Sequence, residues 1–183
     1  MKLLHRLKPA VIGVVVFGFG VSLSACGYNA LQQQDENVKS ALSEVVNQYQ
    51  RRADLIPDLV SAMQGLASKE RSALAEVSEA RAKVVAIPLT PRLVNDPATL
   101  REFQAAQAEL TSALKSLVSA AEQSPQLRAD RNFRDLQAEL ADVQGRISTA
   151  RDRYLEAVRT YNVTVRDFPT NLTARVFEFK DKG

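Results

Sequence analysis

Between Phe133 and Tyr161 the apolar residues Phe133, Leu136, Leu140, Val143, Ile147, Ala150, Tyr154, Ala157 and Tyr161 follow one another in alternating steps of three and four. Such steps bring side chains onto one side of a helix, and a stripe sustained at that pitch needs a neighbouring helix to bury it. A strand would require alternation at every second residue, and no stretch of any length in the body of the chain shows it. The stripe therefore predicts a long helix from Phe133 to Phe168, closed by Pro169.

The preceding segments repeat the pattern. Leu31, Val38, Leu42, Val45 and Tyr49 share one face of a helix from about Leu31 to Arg52. Asp54, Leu55, Ile56 and Pro57 then predict an interruption, with Asp54 capping a new helix and Pro57 in its first turn; a kinked continuation is the alternative. One unbroken helix from residue 30 to 87 would extend about 87 Å at about 1.5 Å per residue, so the chain must reverse or bend sharply. From Leu55 a second segment carries Leu59, Met63, Leu66, Leu74, Val77 and Val84, and ends before the Pro-bearing stretch Ile87 to Pro91. Asn95, Asp96 and Pro97 start a third helix, with Asp96 as cap and Leu100, Phe103, Leu110, Leu114 and Leu117 on its apolar face; Ser124 and Pro125 end it. Apolar residues make up 45% of the chain against only seven Gly and seven Pro, which suits one helical core and little punctuation. The expected fold is all-α, an antiparallel four-helix bundle of long helices preceded by an N-terminal hydrophobic signal segment, with residues 171–183 unassigned.

That N-terminal segment has the layout of an export signal. Lys2, Arg6 and Lys8 precede an uncharged run of 16 residues, Ala10 to Ala25, which is shorter than the roughly 17–25 residues of a spanning helix and interrupted by Gly13, Gly18 and Gly20. At its end Leu23, Ser24, Ala25, Cys26 and Gly27 resemble the lipobox of bacterial lipoproteins, in which the cysteine sulfur is acylated and the chain is cut before it. The resemblance implies removal of residues 1–25, a lipid such as palmitate on Cys26, and a domain from 26 to 183 facing the periplasm or exterior. Cys26 is the only cysteine, so no disulfide forms within one chain. An uncleaved single-pass signal anchor is the alternative, and it exports the same residues. Lipoproteins kept at the inner membrane usually carry Asp after the cysteine; Gly27 slightly favours the outer membrane.

Charge and residue inventory exclude several function classes. Lys and Arg total 24 against 21 acidic residues, but three of the basic ones precede Cys26, leaving the body formally neutral and without the basic stripe that nucleic acid requires. The only histidine, His5, lies in the signal segment. A His-ligated di-iron or zinc centre and a His-assisted Ser or Cys nucleophile are therefore excluded, and no Gly-rich phosphate loop points to a nucleotide. The chain is expected not to be an enzyme and to need no metal or cofactor. Glu102 with Glu109, and Asp135 with Glu139, share helix faces and keep a carboxylate enzyme as an alternative, against the simpler reading of solvated charged faces.

Two stretches carry a family resemblance. Arg51-Arg52-Ala53-Asp54-Leu55-Ile56-Pro57-Asp58-Leu59-Val60 resembles the signature RRADLIPNLV of the LemA family, departing at Asp58. From Leu136 to Lys180, residues including Arg146, Ile147, Ala150, Arg151, Tyr154, Tyr161, Asn162, Arg166, Phe168, Pro169, Phe177 and Phe179 follow the family in order and spacing. Departures stand at Gln144-Gly145, usually Glu-Asn, at Leu155, usually Asn, and at Glu178, usually Gly. The resemblance implies an antiparallel helical bundle on an exported, membrane-tethered chain, with no established enzyme chemistry and no agreed ligand. A binding patch is then sought among Arg51, Arg52 and Asp54 beside the proline, and Tyr161, Asn162, Arg166 and Phe168 near the end of the last helix. The competing structural roles are an ion pair for Arg51 or Arg52, a cap for Asp54, and core positions for Tyr161 and Phe168. The partner expected besides the membrane is another envelope or exported protein, acting on a scaffold; a lipid or small hydrophobic ligand held between the helices is the alternative.

Overall fold

In a computed structural model the backbone is described at residues 3–63, 71–88 and 96–182, with side chains from residue 27 onward. The expected signal segment and the Cys26 side chain lie outside the described side chains, as do Leu66, residues 89–95 and Gly183. No strand occurs among the described residues, and the chain is all-α: α1 Leu3–Met63, α2 Arg71–Ala86, α3 Pro97–Glu122, α4 Pro125–Ala129, α5 Arg131–Arg166 and α6 Thr170–Val176. No helix among the described residues is long and apolar enough to cross a membrane.

The interruption expected at Asp54 to Pro57 is absent, because α1 runs through these residues to Met63. Pro57 has no N–H and so leaves the carbonyl of Ala53, one turn back, without its helical donor. Arg81 of α2 supplies the missing bond, its Nε donating to the Ala53 carbonyl at 2.8 Å. Asp54 is accordingly not a cap: it lies exposed inside the helix and accepts a bond from Gln50 Nε2 at 3.2 Å. Arg51 and Arg52 are likewise within α1 rather than at a helix end.

The chain divides into two compact units, residues 39–154, and residues 1–38 with 155–183; α1 and α5 supply residues to both. In the 39–154 unit one apolar cluster joins Ile56, Leu59 and Met63 of α1, Val77, Ala80 and Val84 of α2, Phe103, Leu110 and Leu117 of α3, Leu127 of α4 and Phe133 of α5. α3 begins as its sequence predicts: Asp96 accepts bonds from the backbone N–H of Ala98 and of Thr99, each at 3.1 Å, and Pro97 occupies the first turn. Thr99 Oγ1 donates a third bond at 2.7 Å, and together these hold the Asp96 carboxyl below its ordinary pKa, the side-chain bond contributing most. Asp130 caps α5, accepting the Phe133 N–H at 2.7 Å. Along α5 the stripe is buried at Phe133, Val143, Ile147, Ala150 and Tyr154, with Leu136 and Leu140 partly covered.

In the other unit, α6 forms where the sequence left the tail unassigned. Its buried face, Thr173 and Ala174, rests on the segment that follows Cys26: a Cβ at Gly27 would lie 2.9 Å from Thr173 Oγ1, so only glycine fits there without a shift. Tyr28 packs on Phe177 with ring centroids 4.8 Å apart and on Phe179 at 5.9 Å. The Phe168-Pro169 peptide is cis, and Glu178 has φ 57°.

Candidate functional site

Arg52 is 2% exposed and is the largest fully buried side chain among the described residues. α1 delivers it between α3 and α5, where Nη1 donates to Thr111 Oγ1 at 2.7 Å and Gln144 Oε1 at 3.1 Å. Nη2 donates to the carbonyl and side-chain oxygens of Gln107, at 3.1 and 2.5 Å. The guanidinium carbon also lies 5.2 Å from the centroid of the Tyr49 ring, which packs edge-on against Phe103. Every one of these acceptors is formally neutral, and Arg52 forms no ion pair among the described residues. Burial pulls its pKa below the ordinary value, partly opposed by Tyr49. Arg52 Nε and Gln107 Nε2 are buried without a partner.

Two clefts open beside this knot. One of about 540 Å³ is walled by Leu114, Val118, Leu140 and Ala141, with Lys115 and Glu122 among its lining. Another, of about 330 Å³, is lined by Tyr49, Gln104, Gln107 and Arg151. Both reach Arg52, Thr111 and Gln144. The larger one has mainly apolar walls, and its size falls within the range of about 300–1,000 Å³ typical of small-molecule sites.

The remaining expected residues fall into two places. In the 39–154 unit Arg51 is exposed and pairs with Glu139 at 3.3 Å. Of the carboxylates considered for acid–base work, Glu109 pairs with Lys83 at 2.5 Å and Asp135 lies 3.8 Å from Arg131. In the other unit Tyr161 is 1% exposed, with the Lys182 ammonium 5.0 Å from its ring centroid. Asn162 Nδ2 donates to the Lys182 carbonyl and Asn162 Oδ1 accepts from the Lys182 N–H, both at 2.9 Å. Arg166 pairs with Asp181, which raises the pKa of the guanidinium. Phe168 is no core residue: it is 79% exposed, beyond the end of α5 where no helix covers it. Tyr161, Asn162 and Arg166 thus hold the C-terminal tail. Lys182 itself, paired with Asp35 at 2.8 Å with both side chains largely buried, was invisible to periodicity because its partners come from two distant stretches of chain, in α1 and α5.

Comparison with known proteins places the chain among relatives. The magnetosome proteins MamQ 1 and MamQ 2 of Paramagnetospirillum magneticum strain AMB-1 are each 24% identical to it over 187 residues, covering 93% of this chain and 68% of theirs. The magnetosome protein MamQ of Magnetospirillum gryphiswaldense strain MSR-1 is 23% identical over 190 residues, covering 95% of this chain and 69% of its own. The model of the LemA family matches residues 41–183, which contain Arg52, its acceptors and the clasped tail. By that match the chain belongs to the LemA family.

Proposed function

We propose that this is an exported, membrane-tethered lipoprotein whose helices form an antiparallel four-helix bundle and which works by holding a partner rather than by turning over a substrate. The cleft of about 540 Å³ between α3 and α5 carries this reading. Its apolar walls, with Lys115 and Glu122 among the lining residues, offer a protein segment both burial and charge pairing. The partner is another envelope or exported protein, with neither nucleic acid nor nucleotide involved. A lipid on Cys26 supplies the tether, with residues 1–25 removed, the domain in the periplasm or outside, and the outer membrane slightly favoured. The salt bridges of Glu109 to Lys83 and of Glu139 to Arg51 support a role without acid–base catalysis, since a cation beside each carboxylate favours its ionised form.

The same cleft favours a second reading, in which it takes a lipid or small hydrophobic molecule. A photo-crosslinking residue at Val118, activated in intact envelopes and followed by mass spectrometry, separates the two. One dominant protein adduct supports the scaffold; an adduct of lipid mass supports the second reading. Crosslinking no greater than from the exposed position Val85 counts against both. The tether is tested separately by growth with labelled palmitate, where loss of label on Cys26→Ser supports it and label in neither chain overturns it.

A further inference from the structure

The outward side of α6 and the turn before it is apolar and open. Phe168 is 79%, Leu172 56%, Val176 75% and Phe177 54% exposed. Leu172 and Val176 are four residues apart on one side of α6, while Thr173 and Ala174 on its other side are buried. Scattered exposed apolar residues are ordinary, but four large ones gathered within ten residues mark an interaction surface.

The position of α6 in the chain says what covers this surface. Thr173 sits on Gly27 and Phe177 on Tyr28, one and two residues after Cys26. At about 1.5 Å per residue, Tyr28 is about 3 Å along the helix from Cys26. Whether Cys26 is acylated or ends a retained anchor, it lies at the boundary between membrane and water. An element packed on its immediate neighbours is held at that boundary too. A soluble partner would have to reach it past the lipid headgroups, whereas the bilayer is already there.

We infer that α6 with Phe168 is a second, non-covalent membrane contact, its apolar side chains inserted into the lipid interface next to the tether. This rests on the tether at or before Cys26. Exposed Arg175, in the last turn of α6, then lies at headgroup level, where phosphate can pair with it. The contact fixes the tilt of α6, and of the residues packed on it, against the membrane in a way that a lipid on a single flexible terminus does not.

The chain contains no tryptophan, so a single introduced one reports its own surroundings. Full-length Phe168→Trp, Val176→Trp and, as a control in the 39–154 unit, Val85→Trp are reconstituted into phosphatidylethanolamine and phosphatidylglycerol vesicles, with and without bromine on the acyl chains. A side chain sunk roughly 5–10 Å into the interface should lose about half its emission to brominated lipid, with a blue-shifted maximum. The expected result is this loss at positions 168 and 176 and none at 85. Proteins that co-float with vesicles yet show equal quenching at 176 and 85 overturn the inference while leaving the tether standing. A blue shift without quenching by brominated lipid overturns it in favour of a protein contact or a second copy. Failure to co-float removes the tether and the inference with it.

Discussion

Arg52 shows what a single residue contributes here. Its four bonds tie α1 to α3 and α5, and removing it takes the donor from the buried Gln107 side-chain oxygen while leaving a hole in the core. Arg52→Ala should cost about 3 kcal/mol in a chemical denaturation curve, and Arg52→Lys at least half of that, because a point charge on a flexible stem cannot span the same fork. Gln144, where the family resemblance leads one to expect Glu, gives this guanidinium an amide oxygen in place of a carboxylate. Gln144 is exposed. Gln144→Glu therefore brings a carboxylate to an already desolvated cation with little desolvation of its own, and should raise stability by about 1–2 kcal/mol; an unchanged or lowered midpoint would contradict the ion-pair account. Glu178 is the opposite case, a residue that departs from family glycine at φ 57°, in the left-handed region. Glu178→Gly should be neutral to stabilising by up to about 1 kcal/mol, relief of strain being offset by the larger entropy of glycine when unfolded. The sequence marked Arg52 through its motif, yet not its setting, since its acceptors lie 55 to 92 residues away and carry no charge to betray them.

Helices were legible to the extent that their own residues decide them. Asp96 and Pro97 announce the start of α3 because a cap satisfies donors within three residues, and the α5 stripe shows its buried side because periodicity is local. The continuity of α1 was not legible: a proline inside a helix usually ends it, and what rescues this one comes from Arg81 in another helix. Arg81→Leu should therefore destabilise by about 1–2 kcal/mol by leaving the Ala53 carbonyl unsatisfied, whereas in a Pro57→Ala background, where the helix regains its own donor, the same change should cost much less. Equal costs in both backgrounds would mean that Arg81 acts otherwise. The α3 cap also sets a pH response. Because hydrogen bonds from Thr99 and Ala98 depress the folded pKa of Asp96, its stabilisation is complete above the unfolded carboxyl value near pH 3.9 and disappears as pH falls through the lower folded value. Protection factors in the first turn of α3, corrected for the intrinsic exchange rate at each pH, should fall on acidification below about pH 4, and Asp96→Asn should flatten that response.

At the scale of the molecule, apolar periodicity was enough to make the chain all-α, since stripes on long helices have nowhere to go but against other helices. It could not reach the C-terminal tail, where no stripe exists and order comes from single contacts with distant residues. Lys182 concentrates them: its ammonium pairs with Asp35 of α1 and lies over Tyr161 of α5, while its backbone is held both ways by Asn162. The Lys182 and Asp35 side chains are only 7% and 15% exposed, so loss of one takes a charged partner from the other in a largely desolvated setting. Breaking a buried pair from one side typically costs about 3–5 kcal/mol, while replacing both partners by apolar groups of similar size is often close to neutral. Lys182→Met alone should speed amide exchange through α6 and the tail, and adding Asp35→Leu should recover much of the lost protection. Because the clasp lies wholly in the unit of residues 1–38 and 155–183, exchange in α3, which belongs only to the other unit, should stay unchanged in both variants. If α3 loosened in step with α6, the two units would be one cooperative structure and the clasp would be stabilising the whole chain.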